Sequence, residues 1–153
     1  MNTAFAKYTE QLPEYMTQLL QMPLQQLQHH NHVLPNAGIY VLYENDAAQY
    51  VGRTERMKKR LKEHGAPYSN HNSASFAFLV AKEQAHASGV DCSRKRGVLQ
   101  GCPLFVPHFM AAKAKVAAMA FRFVKIGDPI EQTLFEVYAA VELKTRHNSF
   151  KPH

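Results

Sequence analysis

Two tyrosines ten residues apart, Tyr40 and Tyr50, stand in the stretch AGIYVLYENDAAQYVGRTERMKKRLKEHG (residues 37–65), and a run of cations follows at once. Arg53, Arg56, Lys58, Lys59, Arg60 and Lys62 fall within ten residues, and His64 comes just after. A positive field of this density concentrates polyanions by electrostatic steering and counterion release. Far along the chain, Glu136 stands in LFEVY and Asn148 in RHNSF. Each of these residues also has a plainer use when read alone. Tyr40 and Tyr50 are core aromatics, the basic run is a solvated face, His64 is a helix C-terminal residue facing the dipole, and Asn148 is a turn residue. Glu136 either faces solvent or is a sole carboxylate reaching into a site built by other elements, and the helical wheel favours neither.

The elements that must position these residues follow from pattern. GIYVLYE carries β-branched and aromatic residues with little polar content, which predicts a strand covered on both faces. NDAA (45–48) is a hairpin turn and QYVG the short returning strand. Thr54 is a helix N-cap with Glu55 in the first turn, and Gly65 stops the helix of ERMKKRLKEH. Arg56, Arg60 and His64 recur every four residues along one stripe of that helix, with Met57 and Leu61 as its anchor. Before the hairpin, residues 4–32 read as two or three short helices divided by Pro13 and Pro23, ending in the polar tail QHHNH. After it, SASFAFLVAKEQAHA is a helix, 89–102 an exposed loop, and PLFVPHFMAAKAKVAAM a helix that Pro107 kinks or delays. AFRFVKIG (120–127) is the third strand. Asp128 caps a last helix with Pro129 in its first position, running to about Thr145, with Ile130, Leu134, Val137 and Val141 as its core stripe. His153 is left as a terminus.

Composition bounds the rest. A chain of 153 residues is the size of one ordinary domain, large enough to bury a core without disulfide staples. The organisation expected is one domain over 1–153, with a helical extension at 1–35 and a helical insertion at 66–118. No segment approaches the apolar length needed to span a bilayer, and the N-terminus lacks a secretory pattern. A soluble, cytoplasmic protein without membrane partners is expected. Cys92 and Cys102 read as free thiols. A zinc set of His86, Cys92, Cys102 and His108 matches no compact ligand spacing. The net charge of +6 suggests a polyanionic partner, and Arg94, Lys95 and Arg96 form a second basic cluster.

Taken in order, GIY at 38–40, YVG at 50–52, Arg60, a later helical Glu136 and a closing Asn148 resemble the GIY-YIG nuclease superfamily over roughly residues 36–150, with 66–118 unmatched. The Glu-to-Asn stretch looks most like a restriction-endonuclease branch. The resemblance implies a small α/β (α+β) fold, a three-stranded antiparallel sheet flanked by helices, and a metal-dependent DNA endonuclease. It gives catalytic places to Tyr40, Tyr50, Arg60, His64, Glu136 and Asn148. Arg53, Arg56, Lys59 and Lys62 would contact nucleic acid.

Phosphodiester hydrolysis needs a base for water, positive charge for the transition state and stabilisation of the departing oxygen. Under the resemblance Glu136 holds Mg²⁺, or Mn²⁺ in its place, because Mg²⁺ keeps several waters and needs few carboxylates. Arg60 pairs with the scissile phosphate. Tyr40 is the base or water-orienting group, although a free tyrosine titrates near about pH 10, and Tyr50 holds phosphate or water. His64 either lowers the Tyr40 pKa through a hydrogen bond or takes the proton itself. DNA is the expected partner, with a homodimer if the target is palindromic. The alternatives are a non-catalytic nucleic-acid-binding module on the same fold, or a nuclease toxin. Target choice would fall to 66–118, the N-terminal helices, dimerisation or DNA shape.

Overall fold

The structure, a computed structural model, describes residues 2–30 and 32–150; His153 and Asn31 of the QHHNH tail lie outside them. In chain order the elements are α1 (Thr3–Thr9), α2 (Leu12–Gln21), β1 (Gln25–Gln26), β2 (Gly38–Glu44), β3 (Ala47–Thr54), α3 (Met57–Gly65), α4 (Ser75–Ala87), α5 (Arg96–Leu99), α6 (Val106–Ala117), β4 (Ala120–Lys125) and α7 (Pro129–Glu142). They fall into two compact units, Met1–Lys58 with Ala120–His153, and Lys59–Met119. Each is described by itself.

The first unit is a mixed α/β arrangement around a four-stranded antiparallel sheet of order β1-β4-β2-β3. Asn45 and Asp46 both take positive φ, 50° and 66°, the backbone that a two-residue hairpin with right-handed strand twist requires. Ala47 therefore already belongs to β3. Central β2 is buried from Gly38 through Tyr43, as its unbroken apolar run predicts. Alternation along β2 sends Ile39, Val41 and Tyr43 to one face, where they join Val51, Val124, Ile126 and the buried side of α7 with Leu12 and Leu19 of α2. Tyr40 and Leu42 point to the opposite face.

The sheet has four strands where three were expected. The extra one is only two residues long, Gln25 pairing with Phe121 and Gln26 with Ala120. Two glutamines have no hydrophobic period to reveal a strand, so pairing with the β4 edge decides their conformation. Asp128 does cap α7, accepting from the N–H groups of Ile130 at 2.8 Å and Glu131 at 3.0 Å.

The buried face of α7 is not the expected one. Ile130, Val137 and Val141 are exposed, Val141 by 63%, while Gln132, Phe135, Ala139 and Ala140 are buried. Small alanines let the helix approach the sheet closely, and Phe135 sets its phase by meeting Tyr15 edge-on at 5.7 Å. Gln132 is tolerated inside because its amide donates to Ile126 O at 2.7 Å and Glu55 Oε1 at 3.2 Å. The helix ends at Glu142, short of Thr145, because Lys144 turns to positive φ and Thr145 N–H closes back on Ala140 O at 3.1 Å.

The second unit packs α4 beside α6. Phe78, fully buried, meets Phe105 at 5.2 Å and Phe109 at 5.7 Å. Residues 89–102, expected as an exposed loop, contain α5 and bury Cys92 and Leu99. The helix expected from Pro103 starts at Val106, with Pro107 in its first turn, where a missing N–H costs nothing. Among the described residues no helix is long and apolar enough to cross a membrane.

Candidate functional site

Tyr40 pairs across the strands with Gly52, and Leu42 with Tyr50, so both tyrosines share a sheet face. Tyr40 is 1% exposed, and its ring centre lies 6.4 Å from that of Tyr50. Gly52 is what admits this arrangement, since a Cβ there would fall on Cζ and Oη of Tyr40. The glycine of YVG thus makes room for the tyrosine of GIY. Gly38 has an equally local reason, because its Cβ would meet the carbonyl of Val124 on the neighbouring strand. Between Leu42 and Tyr43 the register slips by a bulge at Gln49, which adds twist next to Tyr50.

Asn148 is spent on that same strand. Its Oδ1 accepts the Val51 N–H at 2.8 Å and its Nδ2 donates to Val51 O at 2.8 Å, while His147 N–H reaches Gln49 O at 3.4 Å. Val51 lies between Tyr50 and Gly52. The closing Asn of the sequence pattern therefore completes the outer rim of β3 as a further strand would, and shields an edge that would otherwise present free backbone groups.

Glu136 lies half-buried on α7, and burial raises its pKa above the ordinary carboxylate value, offset in part by the Arg53 guanidinium. Arg53 pairs with Ile39 and so shares the sheet face on which α7 packs. Its Nη1 donates to Thr133 Oγ1, one turn before Glu136. A desolvated carboxylate with a single partial counter-charge suits a divalent cation that keeps most of its waters. The expectation from the sequence resemblance, Glu136 as the Mg²⁺ or Mn²⁺ ligand, falls on this carboxylate. Among the described residues no group of three or more His, Cys, Asp or Glu is arranged to hold a metal, so a cage built wholly of protein ligands is not present there. Cys92 and Cys102 are free thiols.

Arg60 and His64 belong to the second unit. Arg60 Nη1 donates to Ser73 O at 2.7 Å and Nη2 to Ser75 Oγ at 2.9 Å, with Glu63 Oε2 at 3.7 Å. His64 is 0% exposed, and burial first, the Arg60 charge second, push its pKa down to about 3. It is a neutral core imidazole at physiological pH, too weak a base to suit proton abstraction near neutrality. Arg53, Arg56, Lys59 and Lys62 are exposed. Lys59 faces Glu63 at 3.8 Å, an exposed pair of little energetic weight.

The structure thus joins Tyr40 to Tyr50, Glu136 to Arg53, Arg60 to His64, and Asn148 to the backbone between Tyr50 and Gly52. One group escaped the sequence reading. His30 meets Phe121 edge-on at 5.0 Å and His32 meets Phe123 at 6.0 Å. Phe121 pairs with Leu42 and Phe123 with Tyr40, so both histidines lie against the aromatics of the tyrosine face. The histidine-rich QHHNH was the available signal. His30 is held below its ordinary pKa by burial, then by His32 and Lys58. No family model matches the chain, and neither a curated protein nor a solved structure matches it.

Proposed function

We propose that this chain is a metal-dependent DNA endonuclease that hydrolyses phosphodiester bonds, resembling the GIY-YIG superfamily in the residues it uses. The observation that carries the reading is the Tyr40–Gly52–Tyr50 arrangement on the hairpin. It gives the paired motifs a shared geometric reason: two phenols side by side on one face, with a glycine cleared beneath one of them. The raised pKa of half-buried Glu136 adds a carboxylate kept where it costs stability.

The tyrosine pair and the Arg53–Glu136 pair lie on opposite faces of β3, and Asn148 covers the strand's edge at Val51, so their action on one phosphate is part of the proposal. This strand is the outer one of the sheet, with Tyr50 on one face, Arg53 on the other and α7 packed on the Arg53 side. Tyr50, only partly buried, would hold and orient the attacking water, with fully buried Tyr40 packed beside it. Arg53 supplies a cation for phosphate oxygens, and Glu136 would hold the Mg²⁺ or Mn²⁺. When bound, such an ion neutralises developing charge on the phosphate and leaving oxygens. A phosphate role for Arg60 rests on the resemblance, and duplex DNA as substrate, with a homodimer for a palindromic target, belongs to the same proposal.

The test is nicking of supercoiled plasmid in Mg²⁺ or Mn²⁺ by the full chain, beside Glu136→Gln, Tyr50→Phe and Arg60→Ala. The expected result is metal-dependent nicking reduced by two orders of magnitude or more in Glu136→Gln, on the order of the loss from one transition-state charge stabiliser. Wild-type protein inert on every DNA form, with tight salt-dependent binding retained, would instead favour a binding module on this fold.

A further inference from the structure

The net positive charge of the protein arises in one of its two units. Lys59–Met119 contains nine lysines and arginines and three acids, and nine less three leaves +6. The chain totals are 18 and 12, so nine of each remain in the other unit and its net charge is zero. The unit that carries Tyr40, Tyr50 and Glu136 is therefore electrically balanced, and the entire excess resides elsewhere.

Within Lys59–Met119 the cations differ in what they are free to do. Lys113 is buried, donating to Pro67 O at 2.7 Å and Ser69 O at 2.9 Å over the Phe109 ring. Arg60 is engaged by Ser73 and Ser75. Arg94, Lys95 and Arg96 are different, being three consecutive exposed residues. Fully buried Leu99 of α5 donates its N–H to Lys95 O at 2.8 Å. The Arg96 guanidinium lies 5.0 Å from the centre of the Phe78 ring, and Arg94 Nη1 donates to Cys102 Sγ at 3.7 Å. The nearby carboxylate of Asp91 accepts the Ser93 N–H at 2.9 Å. Arginines whose stems are already packed lose less freedom on meeting a phosphate than solvated lysines do.

From this placement we infer that Arg94, Lys95 and Arg96 are a docking site for the phosphate backbone of duplex DNA. The segment that the nuclease pattern leaves unmatched is then the part that anchors the substrate. The identity of the polyanion as DNA rests on the endonuclease reading. The contact is to phosphates and carries no base readout, so it raises affinity equally for all sequences.

The experiment measures binding of the full chain to a labelled random duplex, without divalent metal, across about 50 to 200 mM salt. Each phosphate contact contributes about 0.9 to the slope of log affinity against log salt. The variant Arg94→Gln/Lys95→Gln/Arg96→Gln is expected to flatten that slope by about 2 to 3. A control, Lys7→Gln/Lys125→Gln/Lys144→Gln, removes the same charge from exposed positions of the neutral unit and is expected to leave the slope within about 1 of wild type. Equal flattening by both variants, or none in the first, overturns the site. Plasmid cleavage is scored separately: slope loss in a chain that never cleaves keeps the docking site and sinks the endonuclease reading, while cleavage with an unchanged slope does the reverse.

Discussion

His64 offers the sharpest quantitative check, because its burial fixes both a sign and a size. Its imidazole is held at about 3 against an ordinary 6.5, so the unfolded chain takes up the proton first. Stability contributed by neutral His64 is complete above about pH 7, falls as pH drops through 6.5, and stops falling only near pH 3. At pH 5 the loss is about 2 kcal/mol, from RT times the logarithm of one plus ten to the power 1.5. That figure does not depend on the folded-state value so long as it lies below about 4. The full limit is roughly 5 kcal/mol, a large part of the stability of an ordinary domain. The perturbation is His64→Gln, which removes the titration and retains a polar side chain. Urea unfolding of both proteins, followed by far-UV circular dichroism at pH 8 and pH 5, gives two free-energy differences. Any packing cost of the substitution appears equally at both pH values and cancels. The wild-type advantage should shrink by about 2 kcal/mol on going to pH 5. An advantage that changes by less than about 0.5 kcal/mol would mean that His64 is solvated or paired as a cation, and the neutral-core account would be wrong.

Gly52→Ala places a methyl on the Tyr40 ring; about 1 to 3 kcal/mol of stability should be lost, together with cleavage, and intact melting would show that the ring has room to retreat. Asn148→Ala strips both hydrogen bonds from the Val51 edge and should cost about 1 to 3 kcal/mol, seen as a lower melting temperature. Lost cleavage at unchanged melting would make Asn148 a reacting group rather than a clamp. Glu136→Gln removes a carboxylate whose ionised form the fold disfavours. Because its folded pKa is raised, the cost of Glu136 grows as pH rises through the ordinary carboxylate range, so at pH 7 the variant should melt higher than wild type while losing cleavage. Val141→Lys, at a position 63% exposed, should leave stability within about 0.5 kcal/mol; a large loss in dilute solution would mean that this stripe is covered.

How much was legible depended on whether the deciding interaction was local. The hairpin could be read because Asn45 and Asp46 tolerate positive φ and because β2 is apolar without interruption, both properties of adjacent residues. Asp128 and Pro129 marked the start of α7 for the same reason. Its buried face could not be read locally. The wheel offered Ile130, Leu134, Val137 and Val141 as the more hydrophobic stripe, yet the sheet took Phe135, Ala139 and Ala140, because close approach rewards small residues and Gln132 finds partners at Ile126 and Glu55. Those partners lie in other elements, where a wheel has no information.

The site divides along the same line. The order GIY, YVG, Arg, Glu, Asn was visible in the chain, but what each residue does depends on its neighbours in space. Tyr40 and Tyr50 meet over a glycine, a relation that strand register alone could supply. Asn148 and His64 stand less firmly in the pattern than the tyrosines, and the structure engages one at the β3 edge and buries the other in a core. Glu136 is the opposite case. Its chain neighbours, Phe135 and Val137, give no reason for a carboxylate, and its environment disfavours the charge. A carboxylate disfavoured by burial and offset only in part by the Arg53 guanidinium is what the proposed metal role would account for.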